Sequence, residues 1–293
     1  MDARQLEYFL AVVDHGGINR AAQALFLAQP SLSQAIRTLE RDLGTDLFHR
    51  VGRRVVLTPA GTALIEPARH VVRGLATARA SVASTTGLES GRVDVAATPS
   101  QSVEPLGSMI ARFTARHPGL AIAIRAATTA ASVVELVRTG VVEVGLLASS
   151  TPVVAAGVRV ETVGMQRFVL VTPPDGRFPA GRPVRREQLA GQRLIVGPHG
   201  SGMRALVEEF RAAGVALTVV VESEQREAIL PLVLRGVGVA VLAASWAELA
   251  RRAGAVVLEL EPAAHLHLAL VSRADASPAA AAFRAAALTA PTP

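Results

Sequence analysis

Residues 19–25 read Asn-Arg-Ala-Ala-Gln-Ala-Leu, and residues 30–37 read Pro-Ser-Leu-Ser-Gln-Ala-Ile-Arg. Apolar residues recur at helical spacing in both segments, with Ala22 and Leu25 in the first and Leu32 and Ile36 in the second. Two short amphipathic helices joined by a tight turn leave one polar helix face free to enter a groove of DNA. The stretch therefore predicts a helix-turn-helix DNA-binding motif.

The flanking residues extend this motif on both sides. Residues 5–13 have the periodicity of a preceding helix, and the helix that contains Ile36 is expected to end at Gly44. Two short β-like runs, 47–50 and 55–57, enclose Val-Gly-Arg-Arg. They predict a hairpin wing whose Arg53 contacts the DNA backbone or the minor groove.

A long helix is predicted to follow the wing, with Thr58 as its cap and Pro59 in its first turn. Apolar residues then recur at alternating spacings of four and three, which is the pattern by which two helices pair. Pro67 is expected to kink this helix and not to end it. The alternative is a single amphipathic helix packed on its own domain. The proposed dimerisation seam consists of Leu64, Ala68, Val71, Leu75, Ala78 and Val82.

From Arg92 onward, short β-branched runs alternate with helical stretches. This alternation, with nearly continuous apolar strands, predicts α/β units with covered parallel sheets. The Pro- and Gly-rich stretch 173–183 suggests a boundary between two such units. With 293 residues, of which 50% are hydrophobic and 18% are charged, the chain can form several sizeable cores.

Several classes of protein and site are disfavoured. Cysteine is absent, which excludes disulfides and thiolate metal sites. No signal peptide and no long apolar run are present, so we expect a cytoplasmic protein without a membrane partner. Ser201 lacks the glycine two residues before it that a nucleophile elbow requires, and His265 and His267 have no third ligand in sight. We therefore expect no catalytic residue, no bound metal and no cofactor.

The N-terminal residues resemble the signature of LysR-type transcriptional regulators. The resemblance implies an α/β fold with an N-terminal winged helix-turn-helix, a linker helix and a two-lobed effector domain like that of periplasmic binding proteins. The corresponding boundaries are 1–58 for the DNA-binding domain, 59–88 for the linker helix and 89–293 for the effector-binding domain. The matching positions are Ala21, Ala22, Leu25, Gln29, Pro30, Ser33, Ile36, Leu39, Glu40, Leu43, Gly44, Leu47, Phe48, Arg50, Leu57, Thr58 and Gly61.

The resemblance also implies a function and a set of partners. It implies a transcriptional regulator of double-stranded operator DNA, whose activity changes when a small-molecule effector binds between the lobes. Further expected partners are RNA polymerase and other copies of the chain, in a homodimer or a homotetramer. Two alternatives stay open: a constitutive DNA-binding regulator without a ligand, and a small-molecule-binding protein or enzyme.

The residues expected to contact DNA lie on the face of the second motif helix that Leu32 and Ile36 leave free. Glutamine pairs well with adenine, arginine with guanine, proline can meet a thymine methyl group, and a short serine can reach a phosphate. An ordinary solvated helix face is the alternative explanation. The expected set is Gln29, Pro30, Ser31, Ser33, Gln34 and Arg37, together with Arg53 in the wing.

The residues expected to contact the effector follow predicted strands or precede a helix. In open α/β sheets, the carboxyl ends of the strands line the ligand crevice. The alternative is plain helix capping, because serine, threonine and glycine favour helix starts in any case. The sequence leaves the charge of the effector open. The expected set is Ser100, Gln101, Thr128, Ser149, His199 and Ser201.

Overall fold

A computed structural model of the chain describes residues 1–51, 54–84, 91–179 and 181–289. The chain divides into two compact units. The first holds Met1–Gly87 with Thr139–Val141, and the second holds Leu88–Arg138 with Val142–Pro293. Among the described residues, no helix is both long and apolar enough to span a bilayer.

The first unit has three helices, a two-stranded hairpin and a long fourth helix. Its core is formed by apolar residues from all of these helices and from the start of the hairpin. The elements are α1 (Ala3–Asp14), α2 (Ile18–Ala24), α3 (Gln29–Leu43), β1 (Phe48–Val51), β2 (Arg54–Leu57) and α4 (Pro59–Ser84). The predicted helix-turn-helix and wing are therefore present, and α4 continues through Pro67.

Local contacts explain where these elements begin and end. Helix α1 starts with a capping box between Asp2 and Gln5, and α3 ends at Gly44 in the left-handed region, with φ 69°. The Thr58 hydroxyl accepts a hydrogen bond from the Gly61 amide at 2.9 Å, as expected for the cap of α4. Glu40 accepts the Leu47 amide at 2.9 Å, which ties α3 to the start of the wing.

The second unit begins with alternating strands and helices. Its first elements are β3 (Gly91–Ala97), α5 (Pro99–Val103), α6 (Leu106–Arg116), β4 (Leu120–Ala126), α7 (Ala130–Arg138), β5 (Val144–Ser149) and β6 (Arg159–Thr172). Helices α5 and α6 are separated by Glu104 and Pro105.

In the remaining elements, strands and helices alternate from β8 to β11, β12 follows β11 directly, and three short 3₁₀ turns are present. The strands and helices are β7 (Val184–Arg185), β8 (Arg193–Val196), α8 (Gly202–Ala212), β9 (Thr218–Glu222), α9 (Ile229–Leu234), β10 (Ala240–Ala243), α10 (Ala247–Arg252), β11 (Val256–Glu261), β12 (His265–Ser272) and α11 (Pro278–Leu288).

The sheets of the second unit are mixed, so the expectation of parallel sheets is only partly correct. Strand β3 pairs in parallel with β4 and β5, and β8 pairs in parallel with β9. Strand β12 is inserted antiparallel between β5 and β6, and both β10 and β11 pair antiparallel with β6. The late strands return to the sheet in the opposite direction, which periodicity within a strand does not reveal.

Three clusters of buried apolar residues form the second unit, two in one lobe and one in the other. Lobe 1 is buried around residues 93–147 and 269–287, and lobe 2 is buried around residues 168–266. Strand β6 belongs to both lobes, because its first part pairs with β12 and its last part pairs with β10 and β11. The carboxyl ends of β3, β4 and β5 lie in lobe 1, and those of β8 and β9 lie in lobe 2.

Candidate functional site

The exposed face of α3 is polar, as expected for a helix that reads DNA. Leu32, Ile36 and Leu39 are buried in the core of the first unit. Their burial turns the opposite side of the helix toward solvent. The exposed predicted residues are Gln29, Pro30, Ser31, Gln34 and Arg37. These side chains offer amide, hydroxyl and guanidinium groups that match base edges and phosphates.

Ser33 does not lie on this face. Its exposed fraction is only 7%, and it follows Leu32 in the buried part of α3. Helices α1 and α2 both pack on α3. Ser33 is therefore less accessible than the other predicted contacts on α3, and its contact with a phosphate stays a prediction.

The wing is a regular antiparallel hairpin in its described part. Phe48 pairs with Leu57 and Val51 pairs with Arg54. Arg53 lies outside the described residues, and its proposed contact with DNA stays a prediction. Phe48 packs against Phe9 with ring centroids 5.4 Å apart, which anchors the base of the wing to α1.

The turn between α2 and α3 contains an unexpected strained residue. Phe26 has φ 54°, in the left-handed region, and 96% of its surface is exposed. An L-residue pays about 1–2 kcal/mol for this conformation, and an exposed ring recovers little of it by packing.

We expect Phe26→Gly to stabilise the first unit by about 0.5–1 kcal/mol, because glycine adopts positive φ without a steric cost. Phe26→Ala is the matched control, since it removes the ring and keeps the Cβ that causes the strain. Urea denaturation followed by far-UV circular dichroism measures both. Equal stability of the two variants would count against strain at this turn.

The proposed dimerisation seam on α4 has two different environments. Ala68 is 1% exposed and Leu64 is partly buried, and both pack within the core of the first unit. Val71, Leu75 and Val82 are 44%, 41% and 72% exposed, and Ala78 is also exposed. The alternative of packing on its own domain thus describes the start of the helix, and the later four residues of the seam are exposed.

A cavity opens between the two lobes of the second unit. Its interior volume is about 30 Å³, and its mouth is open to solvent. Four of the six residues expected to contact an effector line it, and residues of both lobes contribute to its wall. These four are Ser100, Gln101, Thr128 and Ser201.

The lobe 1 side of the cavity is held by buried hydrogen bonds. Trp246 donates its indole N–H to Ser100 Oγ at 3.2 Å, across the two lobes. The Gln101 amide donates to Gln166 Oε1 at 3.0 Å and accepts from the Thr98 hydroxyl. Because buried polar groups need partners, these bonds fix the orientation of Ser100 and Gln101. The Ser100 hydroxyl hydrogen is left to donate to an acceptor in the cavity.

The lobe 2 side is formed by the start of α8. Ser201 caps this helix by accepting the Arg204 amide at 3.3 Å. Gly202 and Met203 follow and line the cavity, and neither backbone N–H has an acceptor among the described residues. Backbone N–H groups at a helix start attract acceptors with negative charge.

Arg226 was missed by the sequence analysis. Its exposed fraction is 8%, it lines the cavity, and its guanidinium donates to the Met203 sulfur. Burial lowers the pKa of the Arg226 guanidinium, with no neighbouring charge contributing to the shift. The sequence feature that could have identified Arg226 is its position shortly after β9, since strand ends line the ligand crevice in such folds.

Two expected effector residues do not line the cavity. Ser149 pairs with His267 in the sheet, and its neighbour Ala148 lines the cavity instead. His199 is exposed, and Gly200, which follows it, lines the cavity. Both residues are therefore adjacent to the wall, without forming it.

The described residues contain no group of three or more side chains that could hold a metal ion. The described residues of the cavity lining offer hydroxyl and amide groups, one guanidinium and apolar surface. Such a set can bind and orient a small molecule.

Two family models match the chain. The model described as bacterial regulatory helix-turn-helix protein, lysR family, matches residues 3–62. The model described as LysR substrate binding domain matches residues 86–291. Together they cover both units.

Individual relatives agree with these matches. The RuBisCO operon transcriptional regulator of Allochromatium vinosum is 30% identical over 249 residues, which are 84% of this chain and 80% of that protein. A full-length OxyR variant from Pseudomonas aeruginosa has a TM-score of 0.76 at 24% identity, covering 98% and 93% of the two chains. Full-length CbnR complexed with its target DNA has a TM-score of 0.70 at 22% identity, covering 98% and 99%. At these identities, the two structures support the fold alone.

Proposed function

Because this chain belongs to the LysR family of transcriptional regulators, we propose that a small molecule bound in the cavity between its lobes controls how it acts on operator DNA. The chain is a DNA-binding regulator with an effector-binding domain. The observation that carries the proposal is the cavity itself. Hydroxyl, amide and guanidinium groups from both lobes converge on it, at the strand ends where α/β folds bind ligands.

The DNA-reading part of the proposal rests on α3. Its exposed residues Gln29, Pro30, Ser31, Gln34 and Arg37 are proposed to contact bases and backbone in a major groove. The solved structure of CbnR with its target DNA supports this interpretation through its shared fold. Arg53 in the wing is proposed as an additional backbone contact.

The regulatory part requires a ligand that distinguishes two arrangements of the lobes. A ligand shifts an equilibrium only by its difference in affinity for the two states. Ser100 and Trp246 join the lobes through one hydrogen bond beside the cavity. A ligand that competes for the Ser100 hydroxyl would alter this connection, which supplies a physical route from binding to lobe arrangement.

Assembly and further partners belong to the same proposal. The exposed apolar residues Val71, Leu75, Ala78 and Val82 of α4 are proposed to pair two copies of the chain. A homodimer or homotetramer would then present two or four DNA-binding helices. RNA polymerase is the proposed partner at the promoter, and the cytoplasm, where bacterial DNA lies, is the proposed site of action.

The test uses the only tryptophan of the chain as a reporter. Trp246 is 7% exposed and bonds to Ser100, so a ligand in the cavity is expected to change its fluorescence. Metabolites that change this signal and raise the unfolding temperature are then added to the full chain on a DNA site selected from random sequences. We expect at least one of them to change the DNA affinity, by about 5- to 150-fold.

Two matched variants separate cavity binding from binding elsewhere. Thr128→Val keeps the shape of a cavity residue and removes its hydroxyl, and it is expected to weaken the ligand. Ser149→Ala, outside the wall, is expected to leave the ligand affinity unchanged. If ligands bind in the cavity and the DNA affinity never responds, the chain is a constitutive regulator.

A further inference from the structure

Two arginines of lobe 2 are buried to nearly the same extent and differ in their partners. Arg204 is 9% exposed, and its guanidinium contacts Glu208 at 2.6 Å and Glu222 at 3.0 Å. Arg226 is 8% exposed, and no carboxylate among the described residues forms a salt bridge with it. A buried charge costs several kcal/mol unless it is paired, and arginine does not escape this cost by losing its proton.

The weak acceptor that Arg226 does have cannot replace a carboxylate. Its N–H contact with the Met203 sulfur uses one of five guanidinium hydrogens, and a thioether is a poor acceptor. A methyl group at Gly197 would lie 3.1 Å from both terminal nitrogens of Arg226. The absence of a side chain at Gly197 therefore leaves room for the guanidinium beside the start of α8.

The surroundings of Arg226 add positive potential to its own charge. The backbone N–H groups of Gly202 and Met203, at the start of the eleven-residue α8, line the same cavity without a described acceptor. A helix start carries about half a positive charge. A cation and a helix start that share one cavity repel each other, and an anion between them would relieve both.

The other residues of the lining indicate an anion with a single negative charge and an apolar body. Arg226 is the single charged side chain among the described residues of the lining. Phe168, Leu266, Ala130 and Ala243 supply apolar surface in the same cavity. A guanidinium fork matches the two oxygens of a carboxylate.

We infer that the cavity binds a small organic monocarboxylate, with Arg226 holding the carboxylate and the apolar wall holding its body. This inference rests on the proposed function in that it assigns the chemical class of ligand to the same cavity. It makes Arg226 the residue that selects anionic over neutral ligands.

The first experiment needs no ligand. In the full chain, Arg226→Met removes an unpaired buried charge and is expected to raise the unfolding midpoint reported by Trp246 by about 2–4 °C. Arg204→Met is the matched control, because it leaves Glu208 and Glu222 without their partner and is expected to lower the midpoint. If Arg226→Met lowers the unfolding midpoint as Arg204→Met does, Arg226 has a stabilising partner and the inference fails.

The second experiment compares charged and neutral probes of the same shape. Benzoate, butyrate and 3-phenylpropionate are titrated against benzamide, butyramide and 3-phenylpropionamide, with Trp246 fluorescence as the signal. We expect carboxylates to bind about 10- to 100-fold more tightly than their amides, because a charge-assisted bond is worth more than a neutral one. Arg226→Met is expected to abolish this preference, and Arg226→Lys is expected to retain part of it.

The outcomes separate this inference from the proposed function. Equal binding of acids and amides, or no binding of any carboxylate in the set, overturns the inference. A neutral ligand that binds in the cavity and changes the DNA affinity would leave the proposed function intact. A carboxylate that needs Arg226 and never changes the DNA affinity would support the inference and contradict the proposed function.

Discussion

Gly61→Ala is expected to destabilise the DNA-binding unit by about 3 kcal/mol, because a Cβ at this position has no space. It would lie 2.1 Å from the Leu47 carbonyl oxygen and 2.8 Å from a methyl carbon of Leu57. The first of these atoms is backbone, and the Leu47 carbonyl also accepts the Thr58 amide at 3.0 Å. The clash can therefore be relieved only by moving α4 away from the wing.

The measurement separates the two units by their spectroscopic signals. The only tryptophan lies in the second unit, so its fluorescence follows lobe 2, while far-UV circular dichroism also includes the helices of the first unit. Gly61→Ala is expected to shift an early circular dichroism transition and to leave the fluorescence transition in place. Binding to the selected DNA site should be lost at temperatures where the wild-type chain still binds.

A second glycine in the same helix is the control. Gly74 is exposed, and a Cβ added to it would have no other atom within 4 Å. Gly74→Ala is expected to stabilise α4 by about 0.5–1 kcal/mol, since alanine is the better helix former. If both substitutions had the same effect, the close approach at Gly61 would not be the cause.

Arg37→Ala is expected to weaken binding to the selected DNA site by about 1–3 kcal/mol and to relax its sequence preference. Arg37 is exposed on α3, three residues after Gln34 on the polar face. An arginine on such a face can bind guanine through two hydrogen bonds, and alanine leaves those base atoms without a protein partner.

The measurement is fluorescence anisotropy with the selected DNA site and with single-base variants of it. Arg252→Ala, in the second unit, removes the same charge from a side chain that is 77% exposed and serves as the control. We expect it to change the affinity little. If Arg37→Ala lowered the affinity equally for all sequences and reduced its salt dependence, Arg37 would contact phosphate and not a base.

Much of the first unit could be predicted from sequence because its signals are local. The α2–α3 pair, the Thr58 cap and the hairpin each depend on residues a few positions apart. Helical periodicity also predicted that Leu32 and Ile36 are buried. It did not predict the burial of Ser33, because the burial of a residue at the border of a helix face depends on which other helices pack there.

The heptad pattern of α4 shows a similar limit. A repeat of apolar residues indicates that one face of a helix is covered, and it does not indicate by what. Leu64 and Ala68 are covered by the core of their own unit, whereas Val71, Leu75 and Val82 are exposed. The mixed sheet could not be predicted for a similar reason. The direction in which β12 returns between β5 and β6 depends on contacts between residues far apart in the chain.

The family, the helices and hairpin of the first unit, and the polar face of α3 could be predicted from the sequence alone, because motifs and periodicity are properties of neighbouring residues. It also placed Ser100, Gln101, Thr128 and Ser201 at strand and helix ends that form one cavity. The charge of that cavity became visible only in the folded chain. Whether a buried arginine is compensated depends on which carboxylates the fold brings to it: Arg204 receives two, and Arg226 receives none among the described residues.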